Sequence, residues 1–155
     1  VFSMWEGCGG KTPTETYRAI QAEYASDDKL VSYIESSVDE GSMIYQLPYH
    51  KYPEGESQND MWDYHLFVGY LHSDTLKWSY GSVKGREGDS WNEEIGSLKA
   101  DDMVKALKEA GFAGIYIDRR AYLAEQIEQL ASDLTEATGT KPVISDNGCL
   151  SFYKF

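Results

Sequence analysis

From Leu98 to Phe155 the chain changes its hydrophobic period repeatedly, and this alternation limits the fold more than any other feature. Met103, Val104 and Leu107 recur at helical spacing behind an acidic first turn, and Gly111 stands as a C′ stop, which predicts a helix over residues 98–110. Residues 112–117 are a short apolar run that fits a buried strand. Leu123, Ile127, Leu130 and Leu134 then fall at i, i+4, i+7 and i+11 before Gly139, predicting a helix over residues 122–138. Two short strands, 142–145 and 149–155, flank Asp146-Asn147-Gly148, and Asn-Gly supplies the positive φ angles of a tight type I′ turn. Strands alternating with helices predict an α/β fold. The sheet is expected to be mixed, flanked by helices, and to end in a C-terminal β-hairpin.

The first half is less regular. Residues 1–13 hold three glycines and a proline and read as an irregular lead-in. Thr14 is placed to cap a helix through Tyr17, Ile20 and Tyr24, and Ser26 or Asp27 to cap a second one carrying Leu30, Val31, Ile34 and Val38. Residues 43–47 form a buried strand ending at Pro48, followed by a long polar loop over residues 49–63. Residues 65–71 suit a short strand or a helix, residues 76–80 a strand, and the Gly-rich, charged residues 83–91 a loop. A chain of 155 residues fits a single domain able to bury about 70% of its unfolded surface, so no metal or disulfide is required for folding. Cys8 and Cys149 lie near opposite ends; a bond between them would add on the order of 4–5 kcal/mol, and the pairing stays open.

The net charge of −12 disfavours a nucleic acid or an anionic lipid surface as partner. No apolar run reaches the length of a membrane span. The chain starts at Val1 without a signal peptide, which is the expectation for a piece excised from a larger protein. The 14% aromatic content, dominated by 12 Tyr, suits surfaces that hold sugars or peptides. Serine-hydrolase, zinc-protease, dinucleotide and P-loop motifs are all missing from the sequence, and no cofactor or metal is expected.

The densest collection of chemistry lies between Tyr70 and Trp91. Lys84 and Arg86 suit a phosphate or carboxylate. Trp78, Tyr80 and Trp91 can stack on a sugar ring, and His72 can serve as general acid or base. A structural reading stands beside each of these: Trp78 and Tyr80 share one side of a strand and fit a core equally well. A second cluster, Gln46-Leu47-Pro48-Tyr49-His50, leaves one strand end, and Asp118-Arg119-Arg120 leaves another. If those strands are parallel, Tyr49, Arg119 and Asp118 share one sheet edge, where α/β folds place ligands. For Asp118 the structural alternative is an ion pair with Arg119, Arg120 or Arg86.

The stretches Met43-Ile44-Tyr45-Gln46-Leu47-Pro48-Tyr49, Gly69-Tyr70-Leu71-His72-Ser73, Leu76-Lys77-Trp78-Ser79-Tyr80-Gly81, Lys84-Gly85-Arg86 and Gly111-Phe112-Ala113-Gly114-Ile115-Tyr116-Ile117-Asp118-Arg119 resemble the C-terminal soluble domain of large bacterial multi-spanning membrane proteins. These are commonly described as sugar or phosphoglycerol transferases. The resemblance runs from about Leu30 to the C-terminus. It implies a domain outside the cell membrane, joined to a membrane-embedded body of its own parent chain. That body would hold the catalytic carboxylate, and this domain would help bind a glycan or lipid-phosphate substrate of envelope polymer synthesis. The alternatives are a scaffold module for another protein, or a small hydrolase using His72 with Asp63, Asp74 or Asp118.

Overall fold

The computed structural model describes residues 13–49, 61, 63–80 and 87–155. They form an α/β fold around a five-stranded mixed sheet. The strands are β1 (Met43–Leu47), β2 (Lys77–Trp78), β3 (Phe112–Asp118), β4 (Val143–Ile144) and β5 (Leu150–Lys154), in the spatial order β2-β1-β3-β5-β4. β1 runs parallel to both β2 and β3, while β5 is antiparallel to β3 and to β4. The helices are α1 (Pro13–Ser37), α2 (Val68–His72, continuing a 3-10 turn at Asp63–Phe67), α3 (Glu87–Gly96), α4 (Ala100–Glu109) and α5 (Ala124–Thr138).

The alternation of strand residues sends the two faces of the sheet into different cores. Ile44, Tyr116, Leu150 and Phe152 pack with Leu30, Val31 and Ile34 of α1 and Val68 of α2. Tyr45, Leu47, Ile115, Ile117 and Tyr153 pack on the other side with Met103, Val104 and Leu107 of α4, Ile127 and Leu134 of α5, and Ile95 of α3. The sheet is therefore sandwiched between α1/α2 and α3/α4/α5. At Gly114 the first core approaches β3 so closely that a Cβ would lie 2.4 Å from the Tyr153 carbonyl oxygen.

Four local expectations are corrected. The two N-terminal helices are one helix, because Ser26 and Asp27 turn inward instead of capping; Ser26 Oγ accepts the Asn147 N–H at 3.2 Å. Residues 87–91 are helical, not loop, as the start of α3, whose polar Asp89 and Asn92 are buried. α5 starts at Ala124; Leu123 precedes it, is largely exposed, and donates its N–H to Gln126 Oε1 at 2.9 Å. The C-terminal turn is wider than two residues: Gly148 N–H donates to Ser145 O, Ser145 N–H donates to Leu150 O, and Gly148 takes the positive φ of 74°. Residues 65–71, left open between strand and helix, are helical.

α1 runs antiparallel to β3. Its Glu23 meets Arg120, just past the C-terminal end of β3, and its Ser37 carbonyl meets Lys154, which pairs with Gly114 near the start of that strand. Residues 13–22 therefore project roughly 15 Å beyond the strand ends. This projection exposes Tyr17, Ile20 and Tyr24 to 62%, 58% and 60%. Lower down, Glu35 Oε1 accepts four hydrogen bonds at 2.9–3.0 Å, from Ser73 Oγ, Asp74 N and both the N and Oγ1 of Thr75. These bonds, Thr75 N–H foremost, hold the Glu35 carboxyl below its usual pKa and fix the turn into β2 against α1.

Candidate functional site

Leu47 pairs with Ile117 in parallel register, so Tyr49 and Arg119 each stand two residues past the same sheet edge. The chain leaves β1 toward β2 on one side, and leaves β3 toward β4 and β5 on the other. This divergence makes the edge a topological switch point, where the strand ends open a crevice. The Leu47–Pro48 peptide is cis, and it delivers Tyr49 to α3. There the Tyr49 hydroxyl donates to Asp89 Oδ1 at 2.7 Å.

Beside it, the Tyr45 hydroxyl donates to the Asn92 carbonyl at 2.7 Å. Gln46 spans the gap to the neighbouring elements: its amide nitrogen donates to Leu66 O at 2.7 Å, and its amide oxygen accepts Tyr80 N–H at 2.9 Å. Tyr45, Gln46, Pro48, Tyr49, Ser79, Tyr80 and Asn92 line a small open crevice of about 230 Å³, its mouth included. Burial is the main cause that raises the pKa of both Tyr45 and Tyr49, with Asp89 adding to the effect on Tyr49, so both phenols remain neutral donors. The lining can exchange hydrogen bonds with a neutral polyhydroxylic ligand and offers ring faces beside them.

On the β3 side of the edge stands a different group. Asp118 is fully buried and grips Arg120 at two points, Nε to Oδ1 at 2.9 Å and Nη2 to Oδ2 at 2.8 Å. The Arg120 backbone N–H donates to the same Oδ1 at 3.0 Å, and Nη1 reaches Glu23 Oε1 of α1 at 2.7 Å. Burial opposes the Arg120 charge, but the hydrogen bonds and charge of Asp118 outweigh it and push the guanidinium pKa above its usual value. Burial first, then the Arg120 charge, lowers the pKa of nearby His65.

The structure places the predicted residues unevenly. Tyr49 lines the crevice, and Arg119 stands at the same edge, half-buried, with its backbone N–H on Cys149 O at 2.8 Å. No hydrogen bond or ion pair holds the Arg119 guanidinium among the described residues. Tyr80 also lines the crevice, but only from within the core, where it is packed edge-on against Phe67. Trp78 is a core residue rather than a sugar platform: its ring meets Tyr116 edge-on at 5.3 Å, and a Cβ on Gly69 would fall 2.5 Å from it. Trp91 stacks on Phe112 on the opposite face of the sheet, so the three aromatics do not form one surface. Lys84 and Arg86 lie outside the described residues, as do His50 and Cys8.

The two catalytic candidates are also accounted for. His72 has a side chain only 3% exposed, with Nδ1 3.1 Å from Asp28 Oδ1 and its ring against Tyr24. Its carboxylate partner is thus Asp28, not Asp74 or Asp118. Asp118 has the ion-pair role foreseen as its alternative, with Arg120 as partner. Tyr45, Asn92, Glu23 and Asp27 were not picked out as functional from sequence. Asp27 had a signal: it falls three and four residues before Leu30 and Val31, on the apolar stripe of α1.

No group of metal-ligating side chains and no helix long and apolar enough to cross a membrane occurs among the described residues. Comparison with known proteins finds no matching family model, no matching curated protein and no matching solved structure.

Proposed function

We propose that this chain is a substrate-recognition domain of a bacterial membrane glycosyl- or phosphoglycerol-transferase, acting outside the membrane in envelope polymer synthesis. It binds a glycan segment and leaves the transfer chemistry to a membrane-embedded part of its parent chain. The observation that carries the reading is the crevice at the ends of β1 and β2, whose lining consists of phenol, amide and hydroxyl groups. Its polar groups are neutral donors and acceptors, the complement of sugar hydroxyls. Arg119, with Lys84 and Arg86, supplies positive charge for a phosphate on the same substrate.

The test is an NMR titration of the chain with neutral oligosaccharide fragments and with glycerol-phosphate oligomers. Binding should shift the amides of Tyr45, Tyr49, Ser79 and Asn92. Tyr49→Phe should weaken it by about fivefold, the worth of one hydrogen bond. Arg119→Ala, or Lys84→Ala with Arg86→Ala, should weaken only the phosphate-bearing ligands. An absence of shifts at millimolar ligand would overturn the reading.

A scaffold role is the second reading, favoured by the exposed stripe of Tyr17, Ile20 and Tyr24 on the projecting end of α1. Ile20→Ser with Tyr24→Ser separates the two: under the recognition reading, the glycan titration is unchanged.

A further inference from the structure

Asp27 sits on the inner face of α1 and is only 5% exposed. No hydrogen bond to its carboxyl exists among the described residues. The groups around it come from every element packed there. Glu23 and Asp28 share its helix, and Asp118 comes from β3. The two cationic neighbours, Arg120 after β3 and His72 of α2, are already engaged, Arg120 by Asp118 and Glu23 and His72 by Asp28. Tyr116 of β3 faces the same space, with its buried hydroxyl unpartnered among the described residues. The Lys29–Asp146 ion pair and the Ser26–Asn147 bond tie the same turn of α1 to the β4–β5 loop.

A buried carboxylate with this setting has two acids beside it and no donor of its own, so the neutral acid fits the site better than the anion. We infer that Asp27 is a proton-binding site whose occupancy couples the seating of α1 on the sheet to pH. Burial, with Glu23 next, raises its pKa from 3.8 to about 6, against the pull of Arg120 and His72. The sign follows: the folded state holds this proton more tightly than the unfolded one. The contribution to stability is complete below about pH 4 and is lost as pH rises through about 6. Deprotonation places a third negative charge beside Glu23 and Asp118. The Arg120 hold on α1, and with it the projecting end of the helix, then loosens within the folded domain.

The direct test is the carboxyl carbon resonance of Asp27, followed by NMR from pH 3 to 8. A midpoint near 6 supports the inference, and one near 4 overturns it. Amide exchange of α1 residues 23–31, corrected for intrinsic rates, gives the coupling. Opening should become on the order of tenfold to a hundredfold more frequent between pH 5 and 7.5, the span set by a shift of up to about two units. Asp27→Asn should remove that dependence, and His72→Gln should keep it. If His72→Gln abolished it while Asp27→Asn kept it, the effect would belong to His72 and the inference would fall. None of these readouts requires a glycan, so the outcome is separable from that of the recognition reading.

Discussion

Two groups of polar side chains flank β1 at one edge of the sheet. Toward β3, Asp118, Arg120 and Glu23 satisfy one another through hydrogen bonds of 2.7–2.9 Å. Toward β2, Tyr45, Gln46, Tyr49 and Asn92 face an open crevice through groups that stay neutral. Charges removed from water must be matched on the spot, so the first group is committed to fastening α1 and the loop after β3. Phenols and amides tolerate partial hydration, and a ligand can share their hydrogen bonds. The edge thus separates a fastening half from a half with capacity to bind, and residue charge alone would have pointed to the wrong one.

The largest expected effect tests the fastening half. Arg120→Ala leaves Asp118 buried without its counter-charge and should cost about 3–5 kcal/mol in urea denaturation. Replacing both partners, Arg120→Met with Asp118→Leu, should recover most of that loss, because well-packed apolar groups often match a buried pair. Failure to recover would mean that the pair does more than fasten.

On the crevice side, Tyr49→Phe removes one hydrogen bond to Asp89 and should cost about 1 kcal/mol. A loss as large as that of Arg120→Ala would erase the distinction between the two halves. The smallest effect concerns Glu35, whose lowered pKa has the opposite sign to that of Asp27. Its contribution is present above the usual carboxylate pKa and is lost as pH falls through its folded value. Glu35→Gln should flatten the acid limb of the stability profile by less than about 1 kcal/mol, since solvent screens the group.

Much of the fold was legible because long-period signals survive in a single sequence. The stripes of α4 and α5, the apolar runs of β1 and β3 and the glycines after them gave the α/β class and the mixed sheet. α1 was split in two because Ser26 and Asp27 are favoured caps, and only the neighbouring β4–β5 loop and sheet turn them inward. α3 was missed because its buried face uses Asp89 and Asn92, which break the apolar pattern. At the edge, Tyr49 and Arg119 followed from the rule that sites gather past parallel strand ends. The core positions of Trp78 and Trp91 did not, because a short strand and an unrecognised helix send them to opposite faces of the sheet.

The parallel pairing of β1 with β3 also sets the order in which this chain can assemble. Its partners, such as Leu47 and Ile117, are about 70 residues apart, whereas β3 and β5 join residues only about 30–40 apart. Loop closure must be met before a distant contact can reward it. The β3–α5–β5 unit is therefore expected to form early, and β1 to be added to it late. The recognition edge exists only after that last step, so a slow or incomplete closure would yield a chain with much of its secondary structure and no crevice.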